Sequence, residues 1–220
     1  MKEAMEETRI ESRWQVTLAV LVVFSLLTLV PGRLKAFPNW VPLLLTIALI
    51  APMVAVQFTT AKARWLKVGR IVISFFFVIA GVGLVKCLVY LLYEMVRRSS
   101  EVSGAQLLAS SVAIWAENVL LFSLAYWRLD RGGPEARANH TSAKPDWLFP
   151  ENNVPEYVSP DWHPTFVDYL FLAFDTATAF SPTDAAPLTS RAKLLMMAES
   201  TVSLVTIIAV GARAINILGS

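Results

Sequence analysis

Residues 14–30, "WQVTLAVLVVFSLLTLV", carry no charged side chain, and four more blocks are nearly as apolar. Residues 41–58 are also uncharged. Residues 68–93 hold only Arg70 and Lys86, 105–127 only Glu117, and 192–218 only Lys193, Glu199 and Arg213. A hydrocarbon core of roughly 30 Å takes about 20 helical residues to cross, so each block can span it. Lipid gives backbone N–H and C=O groups no water to bond, which leaves helices or closed barrels as spanning structures. None of the blocks alternates with the period of two that a barrel strand needs. The expected fold class is therefore all-α. It is a polytopic transmembrane helical bundle of five long transmembrane helices plus a short pore-like helix, or short sixth span, over 166–180.

Composition agrees with the blocks. Of 220 residues, 55% are hydrophobic and 16% charged, too apolar a balance for an ordinary soluble domain. The net charge of +2 is too small to point to nucleic acid as a partner. The single cysteine, Cys87, falls inside the third block, where it reads as a small buried hydrophobe with no intrachain disulfide. No glycine-rich phosphate loop or paired-cysteine metal pattern is present. His140 and His163 stand in a polar stretch with no nucleophile pattern beside them. No cofactor, metal or enzymatic activity is expected. "NHT" at 139–141 matches a glycosylation triplet, but on a stretch expected to be cytoplasmic.

Four segments follow from the pattern. Residues 1–13 form a polar amino-terminal segment mixing Glu3, Glu6, Glu7 and Glu11 with Lys2, Arg9 and Arg13. A signal peptide opens with a short positive region, so the first block is expected to be retained. Residues 14–128 form a four-helix transmembrane region, with "PGRLKAFPN" as the first turn. Residues 129–163 form a polar linker rich in proline, whose Trp147 and Trp162 point to contact with the protein or the headgroup layer. Residues 164–220 form a terminal hairpin. Lys62, Arg64, Lys67 and Arg70 make the densest basic cluster; positive-inside counting then places the amino terminus and the linker in the cytoplasm.

In the hairpin, residues 166–180 are short for a crossing and contain Asp168 and Asp175. "SPTDAAP" at 181–187 halts that helix, and Thr189 or Ser190 can cap the next. This layout resembles the pore helix, filter loop and inner helix of tetrameric potassium channels. Phe171 and Phe174 fall on the aromatic positions, Thr176 and Thr178 on the pore-helix threonines, and Asp184, Pro187 and Thr189 on the residues after the filter. Lys193 takes the basic position and Glu199 the acidic one. The filter itself departs: Ala179, Ser181, Pro182 and Thr183 replace its threonine, glycines and tyrosine. A potassium filter aims backbone carbonyls at the ion through torsions that glycine visits easily and Ser or Thr do not. Pro182 also fixes its own torsion. A potassium-selective filter is excluded on these grounds.

The whole chain is also similar to a family of uncharacterised bacterial polytopic inner-membrane proteins with about four spans, a basic loop after the second, and a final hairpin like "VDYLFLAFDTATAFSPTDAAPLTSRAKLLMMAESTVSLVT". That resemblance implies a multi-pass protein of the cell inner membrane, with the lipid bilayer as its surroundings. It implies no activity. The channel resemblance implies an ion path over Asp175, Thr178, Ser181, Thr183, Asp184 and Glu199, and a homo-oligomer, a tetramer if a pore forms. The expected function is movement of small ions or solutes; the alternative is a non-conducting membrane scaffold. Because the linker counts as cytoplasmic, residues 166–180 are expected to cross fully rather than re-enter. Lys86 and Glu117, with Asn118, are expected to form an intramembrane charge pair between consecutive helices, either a structural lock or part of an ion path. Arg191 and Lys193 are expected as interface anchors.

Overall fold

The computed structural model describes residues 14–29, 38, 40–41, 43–44, 47–48, 62–97, 104–138, 144–154, 156–157, 159, 162–178 and 185–218. Helix α1 covers Trp14–Leu29, α2 Lys62–Arg97 and α3 Gly104–Leu129. A 3-10 turn, Asp130–Gly132, leads into the short α4, Pro134–Ala138. Strand β1, Trp147–Leu148, precedes a second 3-10 turn at Pro150–Asn153. Helix α5 covers Phe166–Thr178, β2 Ala186–Pro187 and α6 Ser190–Leu218.

Three helical stretches are long and apolar enough to cross a membrane: Ile71–Glu94, Ala105–Gly132 and Ser190–Gly211. The expectation of five long spans is corrected to these three among the described residues. Helix α1 is apolar but only 16 residues long, about 24 Å at the helical rise. The block over 41–58 lies mostly outside the described residues.

Helix α3 is the hub. It packs against α1, α2, α5 and α6, and is the most buried of the three long helices. Val16, Ala19, Val20 and Val23 form the buried face of α1. The outer face of α2 is as apolar as its inner one: Ile71, Phe75, Val78, Val82, Val85 and Val89 recur three or four residues apart, all exposed. A water-facing helix would place polar residues along that stripe. Leu194, Met197, Leu204 and Ile208 are likewise exposed on α6. With lipid outside, packing between helices relies on close approach of small residues. Ser110, Ser111, Ser123, Ala173, Ala177 and Ala192 are all buried.

Part of the stretch expected as linker folds as a cap on one end of the bundle. Arg131 takes the left-handed conformation at φ 53, and Gly133 has φ 98. A Cβ at Gly133 would lie 2.9 Å from the Arg128 carbonyl oxygen, so that position requires glycine. Strands β1 and β2 then pair antiparallel, with Trp147 opposite Pro187 and Leu148 opposite Ala186. The Leu188 amide closes the ladder by donating to the Asp146 carbonyl at 2.8 Å.

This pairing decides the path of the terminal hairpin. Tyr169, near the start of α5, bonds Asp130 at the C-terminal end of α3. Arg191, at the start of α6, bonds the Leu129 carbonyl at that same end. Further along, the Ser200 hydroxyl donates to the Thr176 carbonyl at 3.2 Å, so α5 and α6 run side by side in one direction. Strand β2, paired with β1, lies at the end where α5 begins. The expectation of a full crossing by 166–180 is therefore overturned. Helix α5 has 13 residues, about 20 Å, and Ala186–Pro187 lies at the end where it starts.

Local signals explain where both helices start. Thr165 caps α5: its amide and hydroxyl both donate to Asp168 Oδ2, at 2.6 and 2.8 Å, in a capping-box arrangement. Thr189 caps α6, accepting the Ala192 amide at 3.3 Å.

Candidate functional site

Two polar clusters lie along the interfaces of α3, α5 and α6. The first sits in the cap. Asp130 and Asp146 are both fully buried. Asp130 Oδ1 accepts the Asp146 amide at 2.8 Å, and its Oδ2 accepts the Tyr169 hydroxyl at 2.6 Å. Asp146 Oδ1 accepts the Thr189 hydroxyl and Arg191 Nε, each at 2.6 Å, while Arg191 Nη2 closes the fork on Oδ2. Burial alone would raise the Asp146 carboxyl. The hydrogen bonds from Arg191 and Thr189, with the Arg191 charge, outweigh it and hold the group below the usual carboxylate value. Arg137 donates to the Trp127 and Asp130 carbonyls at 2.9 Å and lies over the Trp127 and Tyr169 rings.

The second cluster lies deeper, between α3 and α6. Glu199 is fully buried; the Tyr126 hydroxyl donates to its Oε2, while Oε1 has no hydrogen-bond partner. Asn118 Nδ2 donates to the Glu199 carbonyl at 3.2 Å and to Ser203 Oγ at 3.0 Å, but Asn118 Oδ1 has no partner. Glu117, 1% exposed, also leaves Oε1 without one. Buried polar atoms are nearly always bonded, so three such oxygens on Glu117, Asn118 and Glu199 call for proton donors or a cation. The clusters meet through Tyr126, whose ring packs 4.8 Å from that of Trp147.

The residues expected to form an ion path are not all brought together. Asp175 is half-buried on α5, and no bond of its carboxylate is among those described. The Thr178 hydroxyl, exposed, donates to the Phe174 carbonyl at 2.7 Å, the usual local use of a helical threonine. Ser181, Thr183 and Asp184 lie outside the described residues. Of the expected Lys86–Glu117 pair, Lys86 is exposed on α2, and Glu117 is buried on α3. Arg191, expected as an interface anchor, is committed to Asp146 with its side chain 53% exposed. Among the described residues no group of three or more His, Cys, Asp or Glu is placed to hold a metal ion.

Sequence reasoning missed Asp130, Asp146, Tyr126 and Tyr169. Asp130 carried a weak signal, since it falls between an apolar helix and the "RGG" turn. Asp146 carried none, because the partners of its carboxylate lie more than forty residues away.

Three apolar helices of bilayer length, an apolar outer surface and buried carboxylates between helices define a helical membrane protein. No protein-family model matches the chain, and neither a curated protein nor a solved structure does.

Proposed function

We propose that this chain is a multi-pass protein of the cell inner membrane whose hairpin over 164–220 moves small ions or solutes without potassium selectivity. The observation that carries this reading is the paired entry of α5 and α6 from one end of the bundle, with β2 between them in sequence lying on β1 at that same end. Residues 179–184, which include Ser181, Thr183 and Asp184, lie between the two helices in sequence. Glu199 is the acidic group of the path, since a buried carboxylate oxygen without a partner invites a proton, a water or a cation. Four hairpins around one axis would complete a pore, so the assembly is a homo-oligomer. No catalytic chemistry is assigned.

A second reading, a non-conducting scaffold, is favoured by the cap cluster, where Asp130 and Asp146 are both spent on holding segments together. Ion flux into liposomes separates the two. Flux above that of empty vesicles, lost in Glu199→Gln protein that still folds, is the expected result. Folded wild-type protein giving no flux with any monovalent cation or proton gradient replaces transport with the scaffold.

A further inference from the structure

From Glu199 a file of buried polar side chains runs between α3 and α6 toward the end of the bundle opposite the cap. On α6, Glu199, Ser203 and Thr206 follow at intervals of four and three residues, which puts them on one face, and none is more than 1% exposed. On α3, Asn118 and Ser111 are seven residues apart, again on one face, and both are buried. The bond from Asn118 Nδ2 to Ser203 Oγ, at 3.0 Å, joins the two faces. Helix α3 ends at the cap and α6 starts there, so Ser111 and Thr206 each lie about 10 Å beyond the level of Asn118 and Glu199. Their hydroxyls donate to the Leu107 and Val202 carbonyls of their own helices, each at 2.8 Å. Both hydroxyl oxygens keep lone pairs for a further donor. At the capped end the file stops, where Tyr126 bonds Glu199 Oε2 and packs on the buried Trp147.

We propose that Glu199 binds a proton at Oε1, delivered from the uncapped end along Thr206, Ser111 and Ser203, and that the ion this protein moves is the proton. The second half rests on the transport reading above. The count of free oxygens decides against a metal ion. On these facing sides the unpartnered side-chain atoms are Glu199 Oε1 and Asn118 Oδ1. Hard metal cations take about six oxygen ligands, whereas a proton needs one. Asn118 cannot be turned over to change the count, because its Nδ2 faces the Glu199 carbonyl, which only accepts. A proton arriving at Oε1 forms an O–H bond and makes that oxygen a donor; Asn118, bonded to the same residue, holds an empty acceptor. Release of the proton restores the carboxylate. A hydroxyl can accept one proton while giving up another, and steps of about 5–6 Å along α6 are bridged by single waters. Proton relays through buried acids are an established use of such groups in membranes. Tyr126 is the titratable side chain bonded to Glu199. Glu117 is turned about 100° around α3 from Asn118, Asp175 is half-buried on α5, and Lys193 on α6 and Lys86 on α2 are exposed. Glu94 is buried near the end of α2.

Two measurements on the full chain in lipid test this, with circular dichroism and size exclusion checking that each variant is folded. Infrared difference spectra, taken as pH is stepped, show the carbonyl stretch of each carboxylic acid that gains or loses a proton. Wild type should give a band that Glu199→Gln lacks and that Glu117→Gln and Asp175→Asn keep. Tyr126→Phe leaves the carboxyl but removes the bond on Oε2, so it should move that band; it carries the assignment if Glu199→Gln does not fold. In liposomes with a trapped pH dye and an imposed potential, wild type should move protons and neither sodium nor potassium. Thr206→Val and Ser111→Ala should each slow proton entry about tenfold, on the scale of one lost hydrogen bond. A spectrum with no band traceable to Glu199 overturns the proposal, as does an unmoved band in folded Tyr126→Phe. Sodium or potassium flux in place of proton flux overturns it and leaves transport standing. Proton flux unchanged in both hydroxyl variants overturns the delivery along the file. The Glu199 band with no flux of any ion supports the proton site and overturns transport, so the two readings fail separately.

Discussion

The two polar clusters contain similar groups and treat them oppositely. In the cap, both oxygens of Asp130 and both of Asp146 accept hydrogen bonds, and the donors come from α5, α6 and the connecting chain. Between α3 and α6, Glu117, Asn118 and Glu199 are as deeply buried, yet each leaves an oxygen unbonded. A satisfied buried network fixes one arrangement, whereas an unsatisfied one keeps capacity for something that arrives. The cap therefore reads as the part that holds the hairpin, and the deeper cluster as the part that can do work. Substitutions should separate the two: stability should respond to the cap and transport to the deeper cluster.

The largest expected effect is in the cap. Asp146→Ala removes the acceptor for Thr189 and for both Arg191 bonds, and frees the cap of α6 from β1. Bonds to charged groups, discounted here for the half-exposed guanidinium, put the loss at about 3 kcal/mol. Thermal unfolding in detergent, followed by tryptophan fluorescence, should show it as a clear fall in Tm. A change no greater than that of a surface substitution would remove the structural reading of the cap.

Tyr169→Phe comes next. It deletes one hydroxyl and leaves Asp130 with the Asp146 amide and the Arg131 side chain, whose Nε lies 3.5 Å away. The expected loss is about 2 kcal/mol, because the remaining carboxylate oxygen is buried with a poorer partner. The same unfolding assay reads it. A double variant with Asp146→Ala should lose less than the sum, since both residues hold one network.

How much of this was legible in the sequence depends on separation along the chain. The start of α6 was readable because Thr189 and Ala192 are neighbours, and the short α5 was readable from its charges and the break at "SPTDAAP". The return of the hairpin was not. It rests on Trp147–Leu148 pairing with Ala186–Pro187, two residues against two, with no alternation long enough to mark a strand. Positive-inside counting pointed the other way, toward a full crossing, because charge counts do not register a ladder between distant segments. Glu199 was found as an acid inside an apolar block, but the sequence could not show that Tyr126 would serve one oxygen and nothing the other.

A smaller effect is expected from acid. The folded Asp146 carboxyl is held below its ordinary value, so its contribution is fully present above the unfolded value of about 4 and is lost as pH falls through the folded value. Asp146→Asn lacks that ionisation. The stability gap between wild type and variant should be constant near neutrality and shrink below about pH 4. Unfolding midpoints across an acid series test this; a gap that widens on acidification would mean that another group governs the cap.

The smallest change in stability, and the sharpest test of the contrast, is expected from Glu199→Gln. Glutamine is nearly isosteric: its carbonyl oxygen can still accept from Tyr126, and its amide places donors where Glu199 has an oxygen with no partner. Stability should therefore stay within about 1 kcal/mol of wild type, in either direction. Flux in liposomes should fall, because the amide can neither take up a proton nor balance a cation. If Glu199→Gln instead costs as much stability as Asp146→Ala and leaves flux unchanged, the deeper cluster is a structural joint like the cap, and the acidic path must be sought at Asp175 and Asp184.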